Sequence, residues 1–115
     1  MRITLLGNPY STNSLYRHAR GISYMTKKGR ELKVSYIKQI QEQYKKKPLT
    51  DELSIEVHIY FGNLRVHDWD NFHKISMDAM TGIVWVDDVQ IYKATVEKHY
   101  DKANPRIEII VDKYK

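Results

Sequence analysis

The sequence contains no cysteine, which excludes disulfide bonds and thiolate metal ligands and makes a reducing cytosol the simplest compartment. No apolar run approaches the length of a membrane span. A targeting leader would begin with basic residues followed by an apolar stretch, whereas strand-like residues follow Met1 directly in this chain. Only three prolines and five glycines interrupt the 115 residues, so no stretch has the composition of a linker. We therefore expect one small, soluble, cytoplasmic domain that covers residues 1–115 and has no membrane partner.

Charge is unevenly spread along the chain. The net charge is +5, but ten basic and only two acidic residues lie between Arg17 and Lys47, whereas residues 48–115 hold eight basic and twelve acidic residues. An uneven basic face is typical of proteins that bind nucleic acids, because contacts to phosphates release condensed counterions. The alternative is a solvated, lysine-rich helix.

Periodicity predicts an α+β domain in which two main helices accompany a sheet. Apolar residues alternate strictly through residues 53–61, and a helix capped by Thr26 is expected to run to Lys47. A second helix is expected from Asp70 to Thr81, with Asp70 as its N-cap. Further strands are predicted at residues 2–6, 84–86, 89–97 and 106–112, and residues 10–25 are expected to form a loop.

The acidic residues gather near the start of the second predicted helix. Asp68 and Asp70 are two residues apart, which in an extended segment places both carboxylates on one side. Carboxylates beside a phosphate-binding surface make electrostatic sense when a divalent cation lies between the two. We expect Asp88 to complete a site for Mg²⁺, or for Mn²⁺, and Lys74 to lie one turn beyond Asp70 beside the same phosphate.

Each of these residues also has an ordinary structural interpretation. Asp70 can serve only as a helix cap, and Asp87 with Asp88 can form a tight hairpin turn between the predicted strands. His67 and His73 suit a surface or phosphate-facing position better than Mg²⁺ ligation. The two tryptophans, Trp69 and Trp85, are expected in the core, with base stacking as the alternative for Trp69.

The order of these residues resembles the RusA family of Holliday junction resolvases, which occurs in bacteria, phages and prophages. The resemblance rests on Asp68-x-Asp70-Asn71-x-x-Lys74, followed by Asp78-Ala79 and by Asp87-Asp88-x-Gln90. An upstream loop is also similar to the family pattern, through Pro9, Ser11, Asn13, Tyr16, Arg17 and His18. The resemblance covers nearly the whole chain.

The resemblance implies a mixed β-sheet with two main helices and a homodimeric, Mg²⁺- or Mn²⁺-dependent endodeoxyribonuclease without a nucleotide cofactor. Its substrate would be branched DNA, a four-way junction cut by paired symmetrical nicks inside a bacterial cell or phage-infected host. By this resemblance Asp68, Asp70 and Asp88 are the catalytic, metal-binding acids, Asp87 is a further metal-ligand candidate, and Lys74 is the catalytic lysine.

The expected DNA-binding residues follow from the basic segment and from one departure from the family. Members often place several arginines before the first acid, whereas this chain offers only Arg65 and His67 there. More of the phosphate contact is therefore expected from Arg17, Arg20, Lys27, Lys28 and Arg30.

Two other functions are compatible with the same residues. One is a metal-dependent nuclease that acts on flaps, forks or other branched DNA. The other is a non-catalytic junction-binding protein, although such a surface would gain affinity by losing the negative charges of Asp68, Asp70 and Asp88.

Overall fold

A computed structural model describes all residues, 1–115, and contains a four-stranded sheet, a separate β-hairpin and three α-helices. The strands are β1 (Arg2–Leu6), β2 (Tyr16–Ala19), β3 (Ile22–Met25), β4 (Leu53–Phe61), β5 (Ile91–Tyr100) and β6 (Arg106–Lys113), and the helices are α1 (Thr12–Leu15), α2 (Lys27–Gln43) and α3 (Lys74–Met80). No helix combines the length and apolar character that crossing a bilayer would require. The expected α+β class is confirmed.

The main sheet is mixed and has the strand order β1-β6-β4-β5. β6 pairs antiparallel with β1 and β4, whereas β5 runs parallel to β4. A parallel return needs a crossover, and α3 lies in the segment between β4 and β5. Because β5 runs parallel to β4, it begins beside the start of β4 and not beside its end. The residues just before β5 and those just after β4 therefore lie at opposite ends of β4.

One face of the sheet packs against the helices. The alternation predicted for β4 is confirmed, with Leu53, Ile55, Val57, Ile59 and Phe61 all buried. Helix α2 adds Tyr36 and Ile40 to the same core, and α3 adds Ile75, Ala79 and Met80. The opposite face of the sheet carries polar and charged side chains from β4, β5 and β6, such as His58 and Glu108.

Residues 10–25 form more structure than the predicted loop. α1 leads into the β2–β3 hairpin, whose turn places Arg20 and Gly21 at φ 51° and φ 76°. Positive φ at both central residues is the geometry of the tight hairpin turns whose twist matches the strands they join. The expectation of a loop was therefore wrong for this segment.

Two helix boundaries and one predicted strand also differ from the predictions. Thr26 does cap α2, but the helix ends at Gln43, because buried Tyr44 is extended and its hydroxyl donates to the Lys47 carbonyl at 2.6 Å. Helix α3 begins only at Lys74, so Asp70 is not its cap. Residues 84–86 form isolated bridges through Trp85 and not a strand.

The conformation of Asp87 and Asp88 also differs from the expected hairpin turn. The two residues form the start of a 3₁₀ turn (Asp88–Gln90) that leads into β5. Of the two tryptophans, Trp85 is fully buried as expected, whereas Trp69 is 57% exposed and was wrongly placed in the core.

Candidate functional site

The loop after β4, residues 62–73, holds Asp68 and Asp70 at the surface, and we call it the acid loop. The Asn71 N–H donates to the Asp68 carbonyl at 3.3 Å, so Asp68–Asn71 is a turn and not the extended segment that was expected. The Thr12 N–H and hydroxyl donate to the Asn71 carbonyl at 2.7 and 3.1 Å. The backbone of the turn is thus held while both carboxylates face solvent.

The base of the acid loop is an aromatic cluster. The His67 ring stacks on Phe61 with centroids 3.8 Å apart, and Phe72 meets both rings edge-on. The Lys98 ammonium donates to the His67 carbonyl at 2.7 Å. Burial lowers the pKa of His67, and the positive charges of Lys98 and Arg65 add to this effect, so the neutral imidazole is favoured. His67 therefore anchors the acid loop to β4 through Phe61 and to β5 through Lys98.

Lys74 lies at the start of α3 and is held by two neighbours. Its Nζ is 3.2 Å from Asp78 Oδ2 one turn later and 4.8 Å from the centroid of the Tyr16 ring. The Tyr16 hydroxyl donates to the same Asp78 oxygen, and burial, followed by this hydrogen bond and the Asp78 charge, raises the pKa of Tyr16. Tyr16 thus remains a donor throughout the neutral range, and the Lys74 side chain is 51% exposed beside the acid loop.

The basic residues lie next to this group. The β2–β3 hairpin and the first turn of α2, which we call the basic end, carry the predicted DNA-binding residues Arg17, Arg20, Lys27, Lys28 and Arg30. Lys28 Nζ lies over the Tyr10 ring at 3.6 Å, and Arg30 donates to the Met25 carbonyl at 2.8 Å. Tyr16 of the basic end contacts α3 through Asp78, and Thr12 of the preceding helix α1 contacts the acid loop through Asn71. Arg65 is exposed on the acid loop itself.

Asp87 and Asp88 lie elsewhere. The Asp87 carboxylate accepts from the Val89 N–H at 3.1 Å, and Gln90 completes a capping box. The Gln90 amide also donates to the Leu49 and Asp51 carbonyls, which places this turn beside the start of β4. Asp87 is therefore occupied as a cap, whereas the Asp88 carboxylate is exposed and has no hydrogen-bond or ion-pair partner.

A single chain does not bring all the predicted metal ligands together. Leu53 pairs with Ile91, which directly follows the Asp88–Gln90 turn, whereas the acid loop leaves β4 after Phe61, eight residues further along. At a rise of about 3.3 Å per residue, the two ends of β4 are about 26 Å apart. The only three His, Asp or Glu side chains whose ligand atoms lie within 4.8 Å of one another are His58, Glu97 and His99.

Sequence reasoning missed two parts of this arrangement. Tyr16 and Asp78 appeared in the motif but received no role, although the four-residue spacing of Lys74 and Asp78 is a recognisable signal for an ion pair on a helix. No local sequence pattern could predict the separation of Asp88 from the acid loop, because this separation depends on the parallel pairing of β5 with β4.

Comparison with known proteins gives a consistent family. The model of the family described as "Endodeoxyribonuclease RusA" matches residues 7–112. The chain is 28% identical over 104 residues to the crossover junction endodeoxyribonuclease rusA of Enterobacteria phage 82, an alignment that covers 90% of this chain and 87% of that protein. The RusA proteins of Escherichia coli K12 and of Shigella sonnei, which carry the same description, are each 27% identical over the same shares.

Proposed function

The chain belongs to the RusA endodeoxyribonuclease family, and on this premise we propose that it is a divalent-metal-dependent endonuclease that resolves four-way DNA junctions by paired symmetrical nicks. The observation that carries the proposal is a pair of contacts: Thr12 of α1 hydrogen-bonds to Asn71 of the acid loop, and Tyr16 of the basic end hydrogen-bonds to Asp78 of α3. These contacts bring the two segments that hold the expected phosphate-binding residues and the exposed carboxylates against each other, with Lys74 between them at the start of α3. The similarity to crossover junction endodeoxyribonucleases supports a DNA junction as the substrate.

The side chains fit a hard divalent cation. Asp68 and Asp70 are exposed carboxylates on a turn whose backbone is fixed by hydrogen bonds, and Mg²⁺ prefers such oxygen ligands together with water and substrate phosphate. When bound, Mg²⁺ or Mn²⁺ supplies Lewis acidity and lowers the pKa of a water ligand. The residues of the chain orient the phosphate and add charge where the transition state becomes more negative.

Lys74 supplies that charge. The ammonium is pinned by Asp78 and Tyr16 at the edge of the acid loop, so little reorganisation is needed when a phosphate arrives. Arg17, Arg20, Lys27, Lys28, Arg30 and Arg65 then position the DNA through its backbone.

A homodimer accounts for the position of Asp88. A four-way junction has approximate two-fold symmetry, and a C2 dimer offers two equivalent sites for opposing strands. Because Asp88 lies beside the start of β4, and the acid loop leaves the other end of this strand about 26 Å away, we assign Asp88 to the site of the other protomer. There, Asp88 of the partner subunit would complete the ligands of Asp68 and Asp70. Each complete site then requires both chains.

The proposal is tested by incubating the protein with an end-labelled four-way junction, with Mg²⁺ or with EDTA, and resolving the strands on a denaturing gel. We expect symmetrical nicks in opposing strands only with the metal. Asp70→Asn should bind the junction as well as wild type but not cut it, and the loss of cutting in Lys74→Ala should persist at higher enzyme concentration.

Flapped and forked duplexes at matched concentration distinguish the other nuclease function. If the protein cut these substrates faster than the junction, its function would be that of a broader branched-DNA nuclease and not that of a junction resolvase. Junction binding with no cutting under any divalent metal would instead support a binding protein.

A further inference from the structure

The face of the sheet that points away from the helices carries a group of metal-ligand side chains that the proposed nuclease does not use. His58 lies on β4, and Glu97 and His99 lie on the neighbouring edge strand β5. The parallel register pairs His58 with Glu97 and Tyr60 with His99, so all of these side chains project on the same face.

Their donor atoms converge on one point. His58 Nδ1 lies 2.9 Å from His99 Nε2 and 3.6 Å from one Glu97 carboxylate oxygen, and the other Glu97 oxygen lies 4.0 Å from His99 Nε2. The two imidazole rings are only partly exposed, at 18% and 28% of the side chain, whereas Glu97 is exposed. The short contact between the two rings is a hydrogen bond from one ring nitrogen to the other, and a cation bound to both nitrogens would take the place of that hydrogen.

These distances suit a first-row transition metal. With metal–nitrogen bonds of about 2.0–2.1 Å, two nitrogen ligands are about 2.9 Å apart at a right angle and about 3.4 Å apart in a tetrahedron. The observed separations therefore need only small side-chain rotations to surround one ion. Two imidazoles and one carboxylate favour Zn²⁺ and its neighbours in the transition series, whereas Mg²⁺ favours oxygen ligands alone.

The surroundings orient the two rings. His58 Nε2 lies 3.6 Å from a Glu56 carboxylate oxygen, so a small side-chain movement would let this carboxylate accept a hydrogen bond from the far nitrogen of a metal-bound His58. The His99 ring stacks on Tyr60 with centroids 4.5 Å apart. Arg106 lies over the Tyr60 ring and forms ion pairs with Glu108 and Asp101. These ion pairs reduce the repulsion between the Arg106 charge and a cation bound at the two histidines.

We propose that His58, Glu97 and His99 form a binding site for a divalent transition-metal ion, with Zn²⁺ as the fitting ion and water in the remaining positions. The site is separate from the acid loop, which lies beyond the end of β4 and contacts β5 through Lys98. Most residues of β5 are exposed, and the strand is held to the sheet on one side only. A metal that bridges β4 and β5 therefore fastens this edge strand to the sheet.

The test uses the full-length protein after treatment with a chelator that is then removed. Calorimetric titration with ZnCl₂ in excess MgCl₂, which keeps the acid loop occupied, should give one Zn²⁺ site per chain, and the thermal midpoint should rise and then saturate. CoCl₂ should give the visible absorption of a nitrogen- and oxygen-ligated ion. Excess MgCl₂ should not displace Zn²⁺.

Two sets of variants decide the location of the ion. His99→Gln and Glu97→Gln should each weaken Zn²⁺ binding at least tenfold, with the fold of the metal-free variants checked by circular dichroism. His18→Gln, at an exposed histidine of the hairpin, and Asp70→Asn, in the acid loop, should bind Zn²⁺ as wild type does.

Three results would overturn the site: no Zn²⁺ binding by wild type, unchanged binding by His99→Gln, or loss of binding in Asp70→Asn. None of these results depends on nuclease activity. Failure of the metal site and failure of the proposed nuclease are therefore distinguishable.

Discussion

Lys74 Nζ lies 3.2 Å from Asp78 Oδ2, and the Tyr16 hydroxyl donates to the same carboxylate oxygen. The pair is partly exposed, so it contributes only about 0.3–0.5 kcal/mol to folding. Its larger consequence is positional, because it fixes the one lysine that lies next to the acid loop on α3. Asp78 and Tyr16 are positioning residues in this account.

Asp78→Asn should therefore lower the turnover of the junction about tenfold while changing KM and the free energy of unfolding little, because misplacing a charged group affects mainly the transition state. Glu31→Gln is the matched control, since it removes an exposed ion pair with the same four-residue spacing on α2. Single-turnover kinetics and urea denaturation measure the two effects. Unchanged turnover in Asp78→Asn would show that Lys74 needs no such support.

The basic end predicts a change in salt dependence. Replacing Lys27, Lys28 and Arg30 together by Ala should weaken junction binding and reduce the slope of log K against log salt by about 0.9 for each phosphate that the variant no longer neutralises. Exchanging the three residues for the other basic type (Lys27→Arg, Lys28→Arg, Arg30→Lys) keeps the charge and should keep the slope. An unchanged slope in the alanine variant would show that the DNA binds to another surface of the protein.

His67 makes the stability of the acid loop depend on pH. Because burial lowers its pKa below the ordinary value of 6.5, the unfolded chain binds a proton before the folded chain does as the pH falls. The stabilisation by neutral His67 is therefore fully present above pH 6.5 and is lost as the pH falls through the lower, folded-state pKa. His67→Phe keeps an aromatic ring on Phe61 but cannot titrate, so the thermal midpoint of wild type should fall more than that of the variant between pH 7.5 and 5.5. Parallel pH curves for the two proteins would contradict this role.

Gly29 predicts a stability effect opposite to helix propensity. In an ordinary helix interior Gly→Ala stabilises by about 1 kcal/mol, but a Cβ at Gly29 would lie 2.3 Å from the Leu15 carbonyl oxygen. Gly29→Ala should therefore destabilise the protein by about 1–3 kcal/mol, whereas Val34→Ala, at an exposed position of the same helix, should have a small effect. Urea denaturation measures both. A stabilised Gly29→Ala protein would show that α1 and α2 separate easily.

Local patterns predicted the elements whose residues face the core. The alternation in β4 and the Thr26 cap of α2 are confirmed because burial and capping act within a few residues of the chain. The β2–β3 hairpin escaped detection because its strands are mostly exposed, so no apolar alternation marks them, and because Arg20 replaces the asparagine or aspartate usual in such a turn.

The candidate site was predictable only in its parts. The spacing of Asp68, Asp70 and Lys74 identified the acid loop, since those residues are neighbours in the chain. The place of Asp88 depends on the crossover through α3, which returns the chain to the start of β4, and the convergence of His58 and His99 depends on the register of two strands that are distant in sequence. Such relationships are set by tertiary packing and leave no mark in a short window.

The central claim, a metal-dependent junction nuclease whose site is shared between two chains, is tested most directly with a mixed dimer. Chains carrying Asp70→Asn and Asp88→Asn are co-expressed with two different affinity tags, and the heterodimer is purified through both tags and assayed on a labelled four-way junction with Mg²⁺. One of its two sites combines intact Asp68 and Asp70 from one chain with intact Asp88 from the other, so we predict nicking by the heterodimer and none by either variant homodimer. An inactive heterodimer beside an active wild-type dimer would contradict the shared site, and an inactive wild type would contradict the nuclease itself.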